Sequence, residues 1–148
     1  MLAVNSIRDF LHAGTRAFYR PVARVSFAEG VEMMAAAVAQ ARDLGLADIV
    51  LNTLGFSGFE PPTVVDRYHM ALRIVESARG SLRVAYVIRP DLIDYQKIGT
   101  VMTQNRGLIS GTFPSEAEAL AWLDVRRKPA SSDPRTPEGP AAGSDRAP

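Results

Sequence analysis

Side chains able to do chemistry are sparse in this sequence, and few are spaced to act together. Gly55-Phe56-Ser57-Gly58 begins like a nucleophile elbow, the strained strand-to-helix turn that exposes a serine hydroxyl for acyl transfer. The motif G-x-S-x-G needs glycine at 59, where Phe59 stands, so a glycine-rich turn is the simpler reading. There are two histidines, His12 and His69. Asp66 lies three residues before His69 and would share a helix face with it, but no third ligand follows at metal spacing. Asp91 and Asp94 form a carboxylate pair that helix capping and turn formation already explain. Cysteine is absent, which removes thiol nucleophiles, disulfides and Cys-ligated zinc. Neither a Walker A loop nor a dinucleotide fingerprint occurs. The expectation is a protein that is not an enzyme and uses no metal or cofactor.

Composition agrees with a globular chain. Of 148 residues 47% are hydrophobic and 22% charged, and the formal net charge is +1. That balance gives no basic footprint for nucleic acid. No apolar run approaches the ~18 residues of a membrane span, and the first residues lack the basic start, apolar stretch and cleavage site of a secretory signal. A cytoplasmic location is expected. Five of the ten prolines fall in the last twenty residues, a stretch with no aromatic, Val, Ile, Leu or Met. Such a segment cannot bury enough apolar surface to offset its ordering entropy. Residues 128–148 are therefore expected to be a disordered Pro-rich tail, 16–127 the folded domain, and 1–15 an extension. A short helix or strand at the domain edge is expected around Ile7, Phe10 and Leu11.

Between the ends, strand and helix signals alternate. Arg16–Val25 reads as a strand with Pro21 marking an edge or bulge. Ser26 and Glu29 form a capping box for a helix whose stripe is Val31, Met34, Ala35, Val38 and Ala41, stopped by Gly45. Ile49–Asn52 is a buried strand. After the loop 53–62, Pro62, Thr63 and Asp66 open a second helix, with Val64, Tyr68, Ala71, Leu72 and Val75 as its expected core stripe. Leu82–Ile88 is the strongest strand. Asp94 would cap a third helix carrying Ile98, Val101 and Met102, closed by Gly107. A last strand, Leu108–Phe113, precedes a helix headed by Ser115 and Glu118.

This β-α-β-α-β-α-β-α order predicts a single small α/β domain with a mixed, mostly parallel sheet of four or five strands. Ligands of such sheets gather at the carboxyl ends of the strands, here the loop 53–62 and the turns 89–94 and 113–115. Candidate site residues follow from that placement. Phe56 and Phe59, if outward, would make an apolar surface for a partner or ligand, joined by Glu60, Thr63 and Arg67. Arg89 and Arg106 would be rim or anion contacts. Arg89 can instead pair with Asp91 or Glu60.

Four segments resemble a known family: YRPVARVSFAEGVEMM (19–34), IVLNTLGFSGFEPP (49–62), VIRPDLIDYQKIGTVMTQNRGL (87–108) and GTFPSEAEALAWL (111–123). They are similar to the STAS-like, or SpoIIAA-like, proteins, a bacterial group that includes anti-sigma-factor antagonists and STAS/SEC14 domain relatives. The resemblance covers about residues 16–124. It implies helices mainly on one side of the sheet, an antiparallel partner for the first strand, and a regulatory role through a protein partner or homodimer. It also implies a serine switch after the second strand, where a kinase adds charge at a helix start. Here Glu60, Pro61, Pro62 and Thr63 occupy the Asp-Ser-Ser-Gly positions of that switch. Both serines are replaced, and Thr63 reads as the helix cap. The expectation is a non-enzymatic interaction domain without the usual phosphoserine. The alternative is a small domain for an apolar or anionic ligand, by analogy with the SEC14 relatives.

Overall fold

The fold is given by a computed structural model that describes residues 7–93 and 106–127. The helix expected from Asp94 through Ile98, Val101 and Met102, and the tail 128–148, lie outside the described residues. Along the chain run β1 (Phe10–Ala13), β2 (Arg16–Tyr19), β3 (Ala23–Arg24), α1 (Phe27–Asp43), β4 (Asp48–Asn52), β5 (Phe56–Ser57), α2 (Val64–Ala78), β6 (Arg83–Val87), β7 (Ile109–Phe113) and α3 (Glu116–Arg127). The main sheet has the order β1-β2-β4-β6-β7, and β3 pairs with β5 in a second, two-stranded sheet. β1 is antiparallel to β2, and all other pairings are parallel. The α/β class and the mostly parallel mixed sheet expected from the sequence are what the chain forms.

Side-chain alternation divides the sheet into two apolar layers. Ala17, Tyr19, Ile49, Leu51, Val84 and Tyr86 pack under α1 and α2, against Val31, Met34, Val38, Met70 and Ile74. The alternate residues Val50, Ala85 and Val87 face α3 through Ala119 and Leu123, with Phe18, Phe113 and Trp122 at the margin. The described helices therefore cover both faces, two on one side and one on the other. Burial on both sides is why β4 and β6 read as continuous apolar runs rather than alternating ones.

The capping signals form as read. Ser26 Oγ accepts from Glu29 N (3.1 Å) and Glu29 Oε1 from Ser26 N (2.8 Å). Thr63 Oγ1 accepts from Asp66 N (3.0 Å), and Asp66 Oδ2 from Thr63 N (2.9 Å). At α3, Ser115 Oγ accepts from Glu118 N (3.2 Å).

Two expectations are corrected. The single strand over 16–25 breaks into β2 and β3, because Pro21 has no N–H to continue a ladder. The edge element expected around Ile7, Phe10 and Leu11 is the strand β1, turned onto β2 through Gly14 at φ +58°. The buried stripe of α2 is also rotated from the one expected. It consists of Arg67, Met70, Ala71, Ile74, Ser77 and Ala78, whereas Val64 and Tyr68 are exposed. Two interleaved i, i+3, i+4 patterns exist on this helix, and the guanidinium of Arg67 lies on the buried one.

At the amino ends of the strands, three charges occupy adjacent register positions: Arg16 on β2, Asp48 on β4 and Arg83 on β6. Asp48 is fully buried. Its Oδ1 accepts from Arg16 Nε (2.7 Å) and its Oδ2 from Arg83 Nη2 (2.7 Å). Arg83 Nη1 also reaches Leu123 O (3.1 Å), and Arg16 Nη2 lies 3.1 Å from Asp124. Three strands and the far end of α3 are thereby tied through one carboxylate.

Candidate functional site

All four parallel strands end at one edge, and the segments that follow them build the candidate site. Thr53 leaves β4 stitched to its neighbour: its N and Oγ1 both donate to Val87 O, at 2.9 and 3.0 Å. Asn52 Oδ1 accepts from Leu54 N (3.0 Å), turning the chain away from the sheet. Gly55 then passes so close to β3 that a Cβ there would lie 2.4 Å from Pro21 O. Its carbonyl accepts from Ala23 N (3.1 Å), and Ser57 O from Val25 N (2.8 Å). Gly58 follows at φ +91°, a conformation that favours glycine. The glycines of the elbow-like motif thus serve a backbone crossing, and Ser57 lies on the short strand β5 rather than at a strand–helix junction.

The candidate residues separate into distinct groups. Phe56 turns inward, buried over Gly30 of α1, and so does not form an exposed surface. Arg67 is likewise buried, donating from Nη1 to Pro62 O at 2.7 Å, and anchors the entry to α2 instead of rimming a site. Phe59 is half-buried, its ring 6.0 Å from that of Phe27. Glu60 is exposed, and Thr63 is held in its capping box. Arg89 grips Asp91 with two bonds (3.0 and 3.2 Å), which hold that carboxylate below its usual range. Arg106 lies over the Tyr68 ring, 5.6 Å from its centroid, with Nη2 3.4 Å from the hydroxyl.

Beneath Phe59 lies a crevice of about 50 Å³, lined by Phe27, Met34, Thr53, Phe59, Pro62, Met70, Tyr86, Ile88 and Leu92. Among the described residues no charged side chain lines it. Tyr86 enters from the end of β6, 1% exposed, and its buried hydroxyl has no hydrogen-bond partner among the described residues. Burial pushes that phenol well above the ordinary range. The sequence points to this edge and to Phe59 but not to Tyr86, whose signal is a single hydroxyl in the apolar run that follows Arg83.

Outside the crevice, the start of α2 presents Val64 (56% exposed), Val65 (61%) and Tyr68 (38%), and the loop adds Leu54 (45%). On the opposite face of the sheet, Glu116 opens α3. It accepts from both Arg20 (2.8 and 2.9 Å) and Asn52 (2.8 Å), and the Arg20 bonds pull its carboxyl below the usual range. Among the described residues no three His, Cys, Asp or Glu side chains gather closely enough to hold a metal ion. None of the described helices is long and apolar enough to cross a membrane.

Comparison with protein-family models, with curated proteins and with solved structures gives no match.

Proposed function

We propose that the chain is a non-enzymatic bacterial regulatory or protein-interaction domain of the STAS type, acting without the phosphoserine switch. The observation that carries this reading is the exposed apolar first turn of α2. Val64, Val65 and Tyr68 stand outward while the helix buries its other stripe, and Leu54 lies on the loop that leads to it. Apolar side chains clustered at one exposed place favour contact with a protein surface, either a partner or a second copy of this chain. The resemblance puts the family's switch at this same helix start. Here Pro61 and Pro62 replace its serines, and the Thr63 hydroxyl is committed to the cap. Association through this surface is constitutive in this reading.

A photo-crosslinking residue at position 65, introduced in the native host, tests it. A discrete cross-linked protein or dimer is expected, absent when the same group replaces Leu44, which is exposed at the far end of α1. Equal products from both positions would contradict the reading.

The crevice beneath Phe59 favours a second reading, a small-ligand domain. Its described lining residues are uncharged, which supports an apolar ligand over an anionic one.

A further inference from the structure

A fully buried hydroxyl with no protein partner is uncommon, since leaving water without a replacement bond is unfavourable. Phenylalanine at 86 would fill the same space without that cost. The buried hydroxyl of Tyr86 lies on a residue that lines the crevice between the two helices and the sheet. The other hydroxyl of the lining, Thr53 Oγ1, already donates its proton to Val87 O. Tyr86 is therefore the available donor. The remaining lining is two phenylalanines, two methionines, a proline, an isoleucine and a leucine.

We propose that this crevice binds a small uncharged molecule, presenting one acceptor oxygen of the carbonyl type to the Tyr86 hydroxyl and an apolar body to Phe27, Met34, Phe59 and Met70. The proposal rests on the small-ligand reading and narrows it. A charged ligand would meet no counter-charge among the described lining residues and would lose its hydration. A long acyl chain does not fit about 50 Å³, which holds about three to five heavy atoms at ~10–15 Å³ each. The two methionines suit a site whose walls adjust to shape rather than select one outline. Phe59, half-buried with its ring 6.0 Å from that of Phe27, is part of the lining.

The probes are butanone and 2-methyl-1-butene, in which a methylene replaces the carbonyl oxygen. The full chain is labelled at the methionine methyl carbons and titrated by NMR. Saturable shifts are expected at Met34 and Met70, with Met33 as the reference outside the crevice. Tyr86→Phe is expected to weaken butanone binding about three- to tenfold relative to the alkene, the worth of one neutral hydrogen bond, while the melting temperature holds or rises. An unchanged ratio of the two affinities in Tyr86→Phe leaves a small-ligand site standing and overturns the carbonyl assignment. No saturable shift with either probe overturns both. A fall in the melting temperature of Tyr86→Phe shows that the hydroxyl serves the fold, and also overturns the assignment.

Discussion

At the amino ends of the strands, Asp48 is buried with a guanidinium on each side; at the carboxyl ends, Tyr86 is buried with a hydroxyl that none of the described residues answers. The two places lie on one sheet and belong to neighbouring strands, yet their polar groups are treated in opposite ways. The first arrangement is directional and closed: each carboxylate oxygen is taken, and Arg83 extends the tie to α3. It holds the strands in one register, since a slip would strand charges against apolar neighbours. The second leaves a donor, a crevice and an exposed apolar helix start. The crevice and the helix start lie at the carboxyl edge, which is where a parallel sheet places its ligands and contacts, beside a closed polar cluster of Arg20, Asn52 and Glu116.

The largest expected effect breaks the closed end. Asp48→Ala leaves two guanidinium groups facing each other in a mostly buried layer. It is expected to lower the unfolding free energy in urea by about 3–5 kcal/mol. A change under about 1 kcal/mol would show that the cluster does not hold the sheet.

A smaller effect concerns Glu116, which joins β2, the end of β4 and α3. Its folded pKa lies below the unfolded value, so its contribution is complete above that value and is lost as pH falls through the folded pKa. Stability should therefore decline below about pH 4.5, the usual carboxylate range. Arg20→Ala should lessen that acid-side loss. Arg20 is half-exposed and solvent-screened, so the difference at neutral pH is expected to be no more than about 1 kcal/mol. Urea unfolding of both proteins across pH 3–7 checks the sign, and parallel curves would remove Arg20 as the cause.

Much of this layout is legible in the residues. Capping pairs at Ser26–Glu29 and Thr63–Asp66 are local, so short-range chemistry announces α1 and α2. The apolar runs at 49–52 and 82–88 announce the central strands, and their alternation with helices announces a parallel sheet. What could not be read depends on contacts across the chain. The phase of α2 turns on whether Val64 or Arg67 faces the core, and a hydrophobicity pattern puts valine inside. The structure buries Arg67 because Pro62 O, five residues away, accepts its proton. Phe56 points inward because Gly30 on another element leaves room for its ring. The Asp48 cluster needs the register of three strands, although each strand begins with a charge just ahead of its apolar run.

The working edge is tested most directly by the affinity of Val65→Glu, measured by sedimentation for self-association and by titration against the protein cross-linked from position 65. Val65 is exposed, so its replacement should move the urea midpoint little. A carboxylate buried at the centre of an apolar contact should weaken association more than about tenfold. Unchanged affinity with an unchanged midpoint would contradict the assignment of this surface.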